Sequence, residues 1–382
     1  MKHFAALDSL RGICAILVAI RHFPSTNSFF NLPFFAHSFL FVDFFFVLSG
    51  FVIHQNYGHR IIDFISAKTF IIRRIARLWP LHIATLVGVV LLEALQKLPH
   101  LQGYTESSPF AEGPFETIRS LLSNAFLLHG LGFEKSPTWN EPSWSISTEF
   151  WAYVAFVGFA FLGPKLQRMS VALLMVAMPL MIARNSWDYM NTTTDLGMAR
   201  CLYGFGAGII TSWVSSGCNH LSAVSRTLLT IIQIAVTFIT VIFVSTASNG
   251  ALTLLAPFVF SVSVLAFVAD RGLMADILQR RFFLSLGAWS YSIYMLHYPA
   301  QVALRGALKI LGSVFQLDFV HSVPRFDGVG MEQAVGRGEI SGALFTFGMV
   351  ACIVLLSALT HRLIEVPWRE HGRNYSIRIA NT

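Results

Sequence analysis

Ten apolar stretches, most of them almost free of charge, recur along this chain and leave it few ways to fold. They cover 6–24, 36–54, 79–96, 143–163, 169–184, 198–214, 225–245, 251–269, 284–308 and 340–361. A helix of about 20 residues crosses the roughly 30 Å hydrocarbon core of a bilayer. Backbone N–H and C=O groups find no partner in lipid, so each stretch is expected to be a helix. The fifth and sixth are short, with room to tilt or break. A further apolar piece, 118–129, is too short to span and reads as re-entrant or interfacial. Composition agrees, because 54% of the residues are hydrophobic and only 12% are charged, about half the charged share of a soluble domain. Mean hydropathy is +0.61. A water-facing exterior cannot be assembled from so little polar surface. The expected fold class is therefore all-α, a polytopic transmembrane helix bundle of about ten spans. It is read as one domain, 1–382, ending in a short cytoplasmic tail, 365–382.

Charge gives the bundle a direction. The net charge of +7 could serve nucleic acid, but positive charge on the cytoplasmic side of a membrane explains it better, so no nucleic-acid partner is expected. With the N-terminus inside, sixteen of the 27 Lys and Arg fall in inner segments, seven in outer ones and four within or at the ends of spans. That places both termini in the cytoplasm. Met1-Lys2-His3 imitates the start of a signal peptide. Asp8, Arg11 and Arg21 interrupt the apolar run that follows, however, and no small-residue cleavage site appears. The run is read as the first span. Cys14, Cys201, Cys218 and Cys352 show no paired spacing, so neither a disulfide framework nor a metal site is expected. The longest connections, 97–142 and 309–339, are polar, rich in Gly, Pro and Ser, and outside in this topology. Either has the character of a lid or an acceptor-binding surface.

Ionisable groups inside spans are costly and mark function more often than elsewhere. Arg11 and His22 are eleven residues apart, which returns to within about 20° of one helix face and separates them by roughly 16 Å. Asp8 is positioned to pair with Arg11. A lone His at a helix end reads first as an interfacial hydrogen-bonding group. On the same stripe as Arg11 it also reads as a catalytic acid–base, able to take a proton from an attacking hydroxyl and return it to a leaving thiolate. Arg73, Arg74 and Arg77 form one forked basic face at the inner end of the third span. They are either an ordinary positive anchor or a phosphate clamp. Glu149, inside the fourth span, is either the partner of an Arg or the group that orients His22. Ser49 and Gly50, at the end of an aromatic wall, read as helix-packing residues. Tyr291, Tyr294 and His297 read as a packed polar seam.

Taken in order, these segments resemble the acyltransferase 3 family of membrane-bound acyltransferases. The resemblance rests on Leu7-Asp8-Ser9-Leu10-Arg11-Gly12 followed by His22, an Arg-x10-His pattern, and on Asp43-Phe44-Phe45-Phe46-Val47-Leu48-Ser49-Gly50-Phe51. It continues through Arg74-Ile75-Ala76-Arg77-Leu78-Trp79-Pro80 and Trp144-Ser145-Ile146-Ser147-Thr148-Glu149. It ends with Ser290-Tyr291-Ser292-Ile293-Tyr294, His297 and Ile364-Glu365-Val366-Pro367-Trp368. The resemblance implies a bundle of helices that passes an acyl group, often acetyl, from acyl-CoA to extracytoplasmic sugars of the cell envelope, such as polysaccharide or lipopolysaccharide. It implies His22 and Arg11 as the catalytic pair and Arg74 with Arg77, aided by Arg73, as the site for the phosphates of acyl-CoA. No metal is implied. The expected partners are a carbohydrate or glycolipid acceptor and membrane lipid, and the expected location is the plasma (inner) membrane. Some relatives carry an extra soluble domain at the C-terminus, so a relay here would need a separate periplasmic partner. The rival reading is a secondary transporter or flippase for a lipid-linked sugar, with Arg11, His22 and Glu149 as a proton path. Against it, the spans show no evident inverted repeat. A non-catalytic scaffold fits least, given the buried charges.

Overall fold

The computed structural model describes residues 2–96, 117–217, 224–324 and 331–380. Parts of the two long connections, and Cys218, lie outside the described residues. In chain order the α-helices are α1 (Ala5–Arg21), α2 (Pro33–Ala36), α3 (Phe41–Tyr57), α4 (Phe64–Gln96) and α5 (Ile118–Ala125). Then come α6 (Trp144–Ala160), α7 (Pro164–Asn185), α8 (Gly197–Gly217), α9 (Arg226–Thr246) and α10 (Ala256–Phe267). The last are α11 (Leu273–Leu278), α12 (Arg281–Phe315), α13 (Glu339–Thr360) and α14 (Val366–Ala380). Each apolar window of the sequence coincides with one of these helices. Five helical stretches among the described residues, Ser38–Tyr57, Phe64–Leu95, Pro164–Asn185, Arg226–Thr246 and Glu339–Ala380, are long and apolar enough to cross a membrane on those grounds alone.

Several boundaries differ from expectation for local reasons. The third window, 79–96, is only the second half of α4. Asp63 opens this helix at Phe64 by accepting from the Ser66 amide at 2.7 Å, while the Ser66 hydroxyl accepts from the Asp63 amide at 3.0 Å. No Gly or Pro interrupts the run before Pro80, so the basic cluster lies inside the helix rather than before it. The window 251–269 starts as a 3-10 turn, Ala251–Leu255, and its α-helix is only 12 residues long. The piece at 118–129 contains α5, whose first turn is closed by a Thr117–Ser120 capping box. Trp79 Nε1 and His82 Nε2 of α4 reach the carbonyls of Ala125 and Asn124 at 2.9 and 2.8 Å, which fastens α5 to α4. The connection 309–339 is not all loop. It holds an antiparallel hairpin of β1 (Val320–Pro324) and β2 (Met331–Val335), and Ser25 bridges Val335 beside it. The C-terminal tail is the helix α14, packed against α4.

Close backbone contact builds the centre. A Cβ on Gly12 of α1 would lie 2.4 Å from the Leu286 carbonyl carbon of α12, and one on Gly287 would lie 2.5 Å from the Asp8 carbonyl oxygen. The two helices therefore touch along their backbones. The same device joins α3 to α8, where a Cβ on Gly50 or Gly208 would meet a facing carbonyl oxygen at 2.1 Å. Asp43 of α3 and Arg200 of α8, both almost fully buried, reinforce that contact with hydrogen bonds of 2.9 and 2.8 Å. Arg200 is one of the seven Lys and Arg assigned above to outer segments, yet it is a core residue. The periphery has the opposite character. Phe238 on α9 and Phe347 and Leu355 on α13 remain 65%, 64% and 71% exposed. Apolar faces of that extent fit lipid and not water, and the chain is a membrane protein.

Candidate active site

Two cavities lie along the seam between α1 and α12. The first, with an empty volume of about 750 Å³, is lined by Arg11, Arg74, Arg77, Glu149, Ser145, Tyr153, Ser290, Tyr291 and Tyr294 among apolar residues of α3, α4 and α6. Three guanidinium groups against one carboxylate give it a positive balance suited to phosphate. Arg11 is held on three sides: Nε donates to Ser290 Oγ at 2.7 Å, Nη2 to the Gly287 carbonyl at 3.1 Å, and Nη1 pairs with Asp8 at 3.2 Å. These contacts need the close approach that Gly12 and Gly287 allow. Arg74 donates to Tyr57 Oη at 3.3 Å and lies over the rings of Tyr57, Phe70 and Tyr153 at 5.4, 5.5 and 5.7 Å. Its Nε is buried without a partner among the described residues. Arg77, one helical turn on, lines the cavity with no hydrogen bond or ion pair from its side chain to another described residue. Arg73 is turned the other way and donates from Nε to Ser376 Oγ of α14 at 2.8 Å.

Glu149 enters the same cavity from α6. Its Oε1 accepts from Ser49 Oγ at 2.7 Å and from Tyr153 Oη. Ser49 is therefore a ligand of Glu149, while Gly50 is the packing residue of the pair. The carboxylate does not reach His22.

His22 caps α1 and lines the second cavity, which has an empty volume of about 1250 Å³. Arg21, Glu141, Asn191, Thr193, Tyr298, Arg305 and Glu332 also line it, so the hairpin strand β2 contributes to its wall. His22 Nδ1 lies 2.9 Å from the Val18 carbonyl. A carbonyl has no proton to give, so Nδ1 carries an N–H, and in the neutral ring Nε2 is the nitrogen with a free lone pair. His297 stands against it with ring centroids 5.0 Å apart. Its Nδ1 is bound to the Tyr294 carbonyl at 2.5 Å, and its Nε2 is buried with no partner among the described residues.

Arg11 and His22 thus share α1 but open into different cavities. Of the residues lining each, only Val42 and Tyr294 line both. Sequence reasoning found Tyr294 and His297 in a seam with Tyr291 but missed the stripe that matches α1: Ser290, Tyr294 and His297 fall at i, i+4 and i+7, one face of a helix. It also missed Arg200, the partner of Asp43, and Glu365, a buried carboxylate in the π-helical turn His361–Glu365 that accepts from Ser292 Oγ. The 4-3 spacing of polar residues on α12 was the available signal for the first. The partners of Asp43 and Ser292 lie too far along the chain to leave a local one.

A family model described as an acyltransferase domain matches residues 4–362. The chain is also similar to "Protein 2 in picA locus" of Rhizobium radiobacter, with 39% identity over 87 residues. That segment is 22% of this chain, and the chain spans about 43% of the length of that relative. No solved structure matches.

Proposed function

On the premise that the chain belongs to the acyltransferase 3 family, and so is an acyltransferase, we propose that it moves an acyl group from acyl-CoA to a hydroxyl of a carbohydrate or glycolipid at the cell envelope. The observation that carries this reading is the convergence of Arg11, Arg74 and Arg77 on one cavity, next to a second cavity lined by His22, whose Nδ1 is taken by the Val18 carbonyl. In this reading about ten helices cross the plasma (inner) membrane, with both termini in the cytoplasm. The Arg-lined cavity then faces the compartment that holds CoA.

Arg74 and Arg77 would bind phosphate oxygens of the donor, and Arg11 is a fixed charge at the inner end of the seam. Arg73, bound to Ser376, supports α14 instead. Along α1 the Arg cavity and His22 are separated by roughly 16 Å, a span suited to an extended pantetheine arm. In the transfer step the acceptor hydroxyl gives its proton to His22 Nε2 as its oxygen attacks the thioester carbonyl. The tetrahedral oxyanion collapses, the C–S bond breaks, and the proton passes from His22 to the leaving thiolate. Because Arg11 sits a pantetheine length away, donors of the His22 cavity such as Arg305 and Thr193 are better placed for the oxyanion. The acyl group of this reading is acetyl, and a separate periplasmic protein would carry any relay.

The test is transfer of radiolabelled acetyl from acetyl-CoA to envelope glycan by membranes containing the protein. His22→Ala should lower kcat by about 10²–10⁴-fold, the range for loss of a general acid–base group, with donor binding retained. A wild-type rate in that variant would remove His22 from the chemistry.

A further inference from the structure

We propose that Tyr294 is the specificity-determining partition of this site, deciding whether the thioester meets an alcohol or water. The inference rests on the acyl-CoA reading above and goes beyond it. Tyr294 and Val42 are the residues common to both cavities. In the acyl-CoA reading donor and acceptor meet where these two side chains stand, the first from α12 and the second from α3.

The tyrosine is latched in place. Its Oη donates to the Pro142 carbonyl at 3.1 Å and accepts from Ser145 Oγ at 2.8 Å. Pro142 lines the His22 cavity and Ser145 lines the Arg cavity, so the latch lies on the boundary itself. The ring packs edge-to-face on Phe45 at 5.8 Å and is 5% exposed. One turn away, Pro299 has no N–H for the Met295 carbonyl, and Asn140 Nδ2 takes its place at 3.1 Å. The short segment 140–145 therefore holds both the hydroxyl of Tyr294 and the backbone next to it. That turn of α12 relies on side-chain bonds where an unbroken helix would use its own ladder.

A thioester exposed to both alcohol and water has two outcomes. In transfer the acceptor oxygen attacks the acyl carbon, the C–S bond breaks and the thiolate takes the alcohol's proton. In hydrolysis a water oxygen attacks the same carbon, with carboxylic acid and thiol as products. The His22 cavity is lined by Arg21, Glu141, Asn191, Arg305 and Glu332, groups that draw water, so an acyl group standing there without acceptor is exposed to hydrolysis. With the Tyr294 ring seated, the acyl group waits on the Arg side among Val42, Phe45 and Ile146, away from that water and from His22.

The test uses inside-out vesicles containing the full chain, fed [14C]acetyl-CoA. Label fixed on glycan is compared with label released as acetate. Tyr294→Ala should raise the acetate-to-glycan ratio by on the order of tenfold, and Tyr294→Phe, which keeps the ring but loses the latch, by a smaller factor. Val42→Ala opens the partition from the other side and should raise the ratio as well, which keeps the proposal falsifiable if Tyr294→Ala fails to fold. An unchanged ratio in Tyr294→Phe and Val42→Ala, with acetyl-CoA still bound, overturns the partition. Wild-type vesicles that neither bind acetyl-CoA nor label glycan overturn the donor reading instead, a separate outcome.

Discussion

Removing one member of the Asp43–Arg200 pair should unfold the bundle more readily than any other single polar substitution in α3 or α8. The Arg200 guanidinium makes two bonds to Asp43, one to the Thr192 carbonyl at 3.0 Å and one to the Phe39 carbonyl at 3.0 Å. It also lies over the Trp144 ring at 5.5 Å. Charge-assisted hydrogen bonds contribute about 1.5–3 kcal/mol each, but their sum overstates the effect because burying both ions was itself costly. Deleting one partner leaves the other buried and unpaired, which costs about 3–5 kcal/mol. Arg200→Ala should sit near the top of that range, since it also vacates two carbonyls and a ring face. Unfolding by SDS titration in mixed micelles, followed by tryptophan fluorescence, measures the loss. The double variant Asp43→Leu with Arg200→Met leaves no buried charge and should recover most of it. If each single substitution costs under about 1 kcal/mol, or if the two effects simply add, the pair is not the lock between α3 and α8 that its geometry implies.

Arg77→Ala should raise the KM for acyl-CoA while leaving kcat within a few fold, since the guanidinium would hold the donor's phosphates equally in the ground and transition states. Arg73→Ala, whose side chain is spent on Ser376, should leave that KM unchanged and shift stability by less than about 1 kcal/mol; equal KM effects at the two positions would return Arg73 to the donor site. Gly50→Ala places a methyl 2.1 Å from the Phe205 carbonyl oxygen and should cost about 1–3 kcal/mol by forcing α3 from α8. The SDS titration would show this, and an unchanged midpoint would mean the helices can separate freely.

The helices were legible because an apolar window long enough to span lipid can hardly be anything else. Their ends were less so: the start of α4 is set by the Asp63–Ser66 cap, fifteen residues or more before the window that announced it. Arg11, Arg74 and Arg77 stood out because a charge in an apolar run is conspicuous, and the structure gathers them around one cavity. Arg73 could not be separated from Arg77 by spacing, because the residue that takes it, Ser376, belongs to a helix whose docking no local pattern reveals. Arg200 was hidden for the same reason, with its partner 157 residues away. Tyr291, Tyr294 and His297 were visible as a polar seam, yet nothing in their own helix says that Ser290 belongs with Tyr294 and His297 on the face turned to Arg11 and His22.

The way the seam is built also says which part of it can move. α1 and α12 meet at Gly12 and Gly287 with no room for even a methyl group, and Arg11 crosses the contact to Ser290 and Gly287. Further out, Gln301 Nε2 of α12 donates to the Ala19 carbonyl at 2.7 Å. Parting these helices to pass an acyl group would break backbone packing and buried hydrogen bonds together. The partition is made differently, from one ring and one valine supplied by separate helices, with two hydrogen bonds from the segment 140–145 as its latch. Rotating a side chain out of two hydrogen bonds, each worth about 1 kcal/mol net, is far cheaper than separating two helices packed backbone to backbone. The fixed seam holds Arg11 and His22 at a set distance, and the opening between them depends on Tyr294.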